Sequence, residues 1–79
     1  MGAMASRHPR HYRRLRELLR QARRDAKLTQ VEVAAMFKTS QQVISQIELG
    51  ERRLDPVELL EFAECYGKDI RDFLPDSIR

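Results

Sequence analysis

Apolar residues recur along this chain at intervals of three and four, the period of an amphipathic α-helix. Leu15, Leu18, Leu19 and Ala22 make the first stripe, in a segment that Pro9 opens and that runs to about Ala26. Pro9 suits a first helical turn, where its missing N–H is not needed. Val33, Ala34 and Phe37 form a second stripe, and Val43, Ile44 and Ile47 a third. Leu59, Leu60, Phe62, Ala63 and Tyr66 give a fourth segment a wide apolar face, and Ile70, Phe73 and Leu74 mark a short fifth that Pro75 stops.

Starts and stops punctuate these stripes. Thr29 with Glu32, and Asp55 with Glu58, have the spacing of a capping box, and Pro56 falls in a first turn. Ser40 and Asp69 are further N-caps, while Gly50 and Gly67 can end helices in the left-handed conformation. Between the second and third segments stand only Lys38 and Thr39, with the small Ala34 where two helices must approach. That arrangement predicts a helix-turn-helix inside an all-α domain of five helices. The domain is expected over 9–75, after a leader at 1–8 whose first six residues resemble a cloning remnant, with a tail at 76–79.

The third segment is apolar on one side only. Its other face carries Gln41, Gln42, Ser45 and Gln46, all uncharged. A glutamine amide sets a donor beside an acceptor, matching the N6/N7 edge of adenine in a DNA major groove. The competing reading is the solvated face of an ordinary helix, because glutamine is a good helix former.

Charge shifts the balance toward a polyanion. The net charge of +3 hides a basic half and an acidic half: residues 1–40 hold ten Lys/Arg against three Asp/Glu, residues 41–79 five against nine. Arg7, Arg10, Arg13, Arg14, Arg16, Arg20, Arg23 and Arg24 surround the first stripe. They read either as phosphate contacts or as a solubilising face. Anionic lipid fits less well, since that stripe has no Trp or Phe and the later segments need it as core.

Other chemistry finds little support. Seventy-nine residues allow one small domain with a modest core. No phosphate loop, His/Cys ligand set or nucleophile elbow occurs, so neither enzyme, cofactor nor metal is expected. His8 and His11 lie in the basic leader and read as solvated, and the sequence shows no acid/base constellation around them. The single Cys65 reads as a small core residue in a reducing compartment. No apolar run approaches the roughly 20 residues of a membrane span, and the expectation is a cytoplasmic protein without membrane association.

The stretches Leu28-Thr29-Gln30-Val31-Glu32-Val33-Ala34 and Ser40-Gln41-Gln42-Val43-Ile44-Ser45-Gln46-Ile47-Glu48-Leu49-Gly50 resemble the Cro/repressor-type (XRE-like) helix-turn-helix family, in a match extending from about Leu15 to Leu74. The resemblance implies a lambda-repressor-like fold whose third helix enters the major groove of double-stranded DNA. It further implies a bacterial or phage-encoded, nucleoid-associated transcriptional regulator, a repressor, acting as a homodimer on an inverted repeat. Gln41, Gln42 and Gln46, with Ser45, would face bases. Gln30 would bind a phosphate and buttress those glutamines. Thr29, Ser40, Lys38, Arg52 and Arg53 would be further phosphate ligands. Arg23 would pair with Glu48 as a clamp between helices. Lys27 and Lys38 depart from the family pattern, standing where glycine often ends a helix, at about 1 kcal/mol each for a left-handed backbone.

Dimer contacts are expected from the C-terminal region, among Leu54, Tyr66, Ile70, Phe73 and Ile78. The alternative function is a protein-interaction module, an antitoxin or adaptor, using the acidic Glu58, Glu61 and Glu64 face and the tail.

Overall fold

A computed structural model describes residues 9–74, so the leader at 1–8, the Pro75 stop, Ile78 and the tail lie outside the described residues. Helix α1 spans Pro9–Asp25, α2 Gln30–Met36, α3 Gln41–Leu49 and α4 Pro56–Tyr66, followed by a single 3-10 turn at Ile70–Phe73. The domain is all-α.

The caps act where their spacing places them. The Thr29 hydroxyl accepts from the Glu32 N–H at 3.1 Å and the Glu32 carboxylate from the Thr29 N–H at 2.9 Å. Asp55 and Glu58 repeat the exchange at 2.8 and 3.0 Å, with Pro56 as the first residue of α4. Gly50 and Gly67 close α3 and α4 at φ of 80° and 66°. Lys27 and Lys38 do the same work after α1 and α2 at φ of 60° and 54°, without glycine's freedom.

The expected fifth α-helix is instead one 3-10 turn. Asp69 accepts from the Arg71 N–H at 2.8 Å, and Asp72 reaches back to the Asp69 N–H at 2.9 Å. Backbone bonds then run from residue i+3 to i, Asp72 to Asp69 and Leu74 to Arg71. Five residues between the Asp69 cap and Pro75 in the sequence are too few to nucleate an α-helix, and the tighter turn suffices to drop Phe73 into the core.

One core unites the elements: Leu19 and Ala22 of α1, Val33 and Ala34 of α2, Ile44 and Ile47 of α3, Phe62, Ala63 and Tyr66 of α4, and Phe73. Leu15, Leu18, Phe37, Val43 and Leu59 pack around its edge. Of two further expected core members, one lies outside the core and one at its edge. Leu60 is 52% exposed, because the inward face of α4 follows residues 59, 62, 63 and 66. Cys65 is only half-buried, its Sγ resting 3.8 Å from Met36 Sδ, and burial pushes its thiol pKa up.

A charged clamp fastens α1 to α3. Arg23 donates through Nε to Glu48 Oε2 at 2.7 Å and through Nη2 to Oε1 at 3.1 Å, while Nη1 holds the Leu28 carbonyl at 2.9 Å. Arg20 adds a bond to the Glu48 carbonyl at 3.4 Å. Glu48 is the buried charged residue of the described core, 4% exposed. Its hydrogen bond to Arg23 raises the guanidinium pKa against the opposing effect of burial. Burial, with Glu48 close by, raises that of the Tyr66 phenol.

Two stability predictions follow from these contacts. Arg23→Ala strands the Glu48 carboxylate and is expected to lower unfolding free energy in urea by about 3 kcal/mol; a loss no larger than that of a surface substitution would contradict the clamp. Lys27→Gly relieves a left-handed lysine and is expected to raise it by about 0.5–1 kcal/mol, whereas destabilisation would show that residue 27 is unstrained.

Candidate nucleic-acid interface

The caps of α2 and α3 fix where the polar face begins. Thr29 makes Gln30 the first residue of α2. The Ser40 hydroxyl accepts from the Val43 N–H at 3.3 Å and makes Gln41 the first residue of α3. The turn between is held by Lys38 N–H to the Ala35 carbonyl at 3.2 Å and Thr39 N–H to the Ala34 carbonyl at 2.9 Å. Gln30 and Gln41, eleven positions apart in sequence, are thereby brought side by side.

A hydrogen-bonded chain runs outward from the buried clamp through these two amides. Gln30 Nε2 donates to Glu48 Oε1 at 3.0 Å, and Gln41 Nε2 donates to Gln30 Oε1 at 2.7 Å. Its polarity is dictated at the inner end. A carboxylate only accepts, so Gln30 must turn its NH2 inward, which leaves its oxygen to receive the Gln41 NH2. The exposed Gln41 is therefore presented in one amide orientation, anchored through Gln30 and Glu48 to Arg23.

The neighbouring polar groups on α3 are unspent. Gln42 is exposed and Ser45 and Gln46 half-buried, and their side chains make no hydrogen bond among the described residues. The Gln46 carbonyl receives the Glu51 N–H at 2.8 Å and the Arg52 N–H at 3.3 Å, folding the following loop back on the helix end. Arg52 and Arg53 project from that loop, exposed and without a carboxylate partner among the described residues. Lys38, Thr29 and Ser40 are also exposed; the two hydroxyls serve as cap acceptors and keep their own hydrogens to donate.

Gly50 meets two requirements at once. Its φ of 80° favours glycine, and a Cβ there would sit 2.6 Å from Cζ of Arg16. The Arg16 guanidinium thus lies across the end of α3, 5.7 Å from the centroid of the Tyr12 ring, with its Nε buried and unpaired. Neither this packing nor the Arg20 bond to Glu48 emerged from the sequence reading. Arg16, Arg20 and Arg23 stand at i, i+4 and i+7, one face of α1, and that spacing is the signal that separates them from the solvated arginines.

Chemically, the arrangement offers neutral amide and hydroxyl groups on one exposed helix face, edged by exposed cations. Such groups can pair with base edges and phosphate oxygens. Among the described residues no three His, Cys, Asp or Glu side chains gather as metal ligands, and no helix is long and apolar enough to cross a membrane.

A family model described as helix-turn-helix matches residues 19–73, which is more than half of the chain and takes in the clamp, both glutamine-bearing helices and the closing turn. No curated protein and no solved structure matches it. The chain belongs to the Cro/XRE-type helix-turn-helix family of DNA-binding domains.

Proposed function

We propose that this domain is a sequence-specific regulator of transcription, a repressor, that reads the major groove of double-stranded DNA with α3. The observation carrying the proposal is the chain from Arg23 through Glu48 and Gln30 to Gln41, which holds an exposed amide in one orientation. Free amides rotate, and ordering them on binding costs entropy; a pre-set amide avoids that cost. Gln41, Gln42 and Gln46, with Ser45, are the base readers, favouring adenine-containing half-sites. Gln30, Thr29, Ser40, Lys38, Arg52 and Arg53 hold phosphates and set the register. The site is nucleoid DNA in the cytoplasm of a bacterial host.

One such domain covers little DNA, so the active form is a homodimer on an inverted repeat, with half-site centres about 10 bp apart. Burial narrows the dimer surface. Tyr66 and Phe73 are committed to the core, which leaves of the expected contacts Leu54 and Ile70, both partly exposed, and Ile78, which lies outside the described residues.

Selection from a random pool of duplex DNA at near-physiological salt tests the proposal, with enrichment of an inverted repeat bearing adenines as the expected result. Weak, salt-sensitive retention without enrichment would reduce the function to non-specific phosphate binding. On the selected operator, Gln42→Ala is expected to cost about 1–3 kcal/mol and relax preference at one base pair. Arg52→Ala should instead weaken all sequences alike and lower the slope of log affinity against log salt by about 1. Equal losses on specific and non-specific DNA for Gln42→Ala would remove it from the base-reading set.

A further inference from the structure

Helix α4 brings its backbone against α1 and the closing 3-10 turn and stands off from α2 and α3. Side chains bridge the resulting seam. The Phe37 and Phe62 rings meet at 4.6 Å, and Cys65 meets Met36 through their sulfurs. Two clefts open there and share Phe37 and Glu61. One, of about 190 Å³, is floored by Val43 and Phe62, and the other, of about 430 Å³, is bounded by Met36, Cys65 and Glu64.

The surface beside these clefts is both apolar and acidic. Met36, Val57 and Leu60 are each more than half exposed. Val57, Leu60, Glu61 and Glu64 follow one another at i, i+3, i+4 and i+7, a single outer face of α4. Glu61 and Glu64 have no cationic partner among the described residues, although the chain is rich in arginine. Glu58 is spent on the Asp55 cap.

These observations constrain what could cover the seam. Uncompensated carboxylates repel nucleic acid and anionic membranes. They attract a polypeptide whose apolar side chains are flanked by Lys or Arg. Among the described residues, the arginine-rich helix of a second copy of this domain does not supply that combination. That helix is α1, and none of the large exposed hydrophobic residues lies there; they are Val31, Met36, Leu49, Val57 and Leu60. An unbranched methionine at the rim adapts to varied apolar anchors.

We propose that the seam between α4 and the C-terminal end of α2 is a docking groove for a short cationic amphipathic segment of another protein. Apolar anchors enter beside Met36, Phe37 and Leu60, and Lys or Arg residues meet Glu61 and Glu64. This is helix-in-groove recognition with charge setting the specificity. The groove lies on other side chains than the glutamine face, so the inference stands or falls independently of the DNA reading.

The test is display selection of random peptides of about 12 residues against the chain, with Glu61→Lys/Glu64→Lys and Leu60→Ser as counter-selected controls. All three substitutions are at exposed positions, and an unchanged thermal midpoint verifies the fold of each control. The expected result is enrichment of peptides that pair apolar residues with Lys or Arg. Their affinity should fall by about tenfold or more in the double charge reversal, and their amide shift changes should centre on Met36, Phe37 and Cys65. The proposal is overturned by no enrichment above the controls, by peptides lacking cationic residues, or by shifts mapping elsewhere. Self-association of the chain that the same substitutions abolish would assign the groove to a second copy and overturn it equally.

Discussion

The buried pair of Arg23 and Glu48 is the contact on which the rest of this domain depends. It ties the last turns of α1 and α3 together at the point where the core gives way to the polar face. Arginine is suited to the position in a way lysine is not. Its planar fork reaches both carboxylate oxygens and still holds the Leu28 carbonyl, so one side chain sets the start of α2 as well as the end of α3. Buried pairs contribute little net stability compared with well-packed apolar residues of the same volume. What the carboxylate supplies here is a fixed acceptor. Replacing the pair by leucines would keep a core, but Gln30 would lose the group that decides which way its amide points.

The clamp links the stability of the core to the polar face. The unspent carboxylate valence passes outward through Gln30 to Gln41, so the exposed amide inherits its orientation from a charge the solvent scarcely touches. At the C-terminal end of α3, next to Glu48, Gly50 lets the chain turn sharply and lets Arg16 lie across the helix end. The polar face is therefore braced at its start by the amide chain from Glu48 through Gln30 to Gln41, and at its finish by the packed cation of Arg16. Backbone strain is accepted elsewhere, in the left-handed Lys27 and Lys38 that close the two helices before it.

Much of this was legible in the chain because the signals were local. Capping boxes at Thr29/Glu32 and Asp55/Glu58, the Ser40 cap and Gly50 placed three of the four helices with little ambiguity. The closing segment misled because a cap and an apolar triplet do not reveal helix type; the few residues before Pro75 decide for a 3-10 turn. Leu60 misled because a wide apolar run on α4 hides which of its members face inward, a matter settled only by where α1 and the closing turn pack. Tyr66 and Phe73 could not be both core and dimer surface, and burial chose the core. Distance in sequence concealed the rest. Gln30 and Gln41 were paired by family likeness, but the polarity of their bond, and the parts of Arg16 and Arg20, require the helices to be in place.

The central claim is that buried charge orients an exposed amide, and Gln30→Met tests it most directly. The substitution keeps volume and helix propensity while breaking the chain between Glu48 and Gln41. On the selected operator and on scrambled DNA, the account predicts lost discrimination at the base pair read by Gln41, with non-specific affinity reduced by no more than a single phosphate contact. Unchanged discrimination would show that Gln41 needs no such support and would contradict the account.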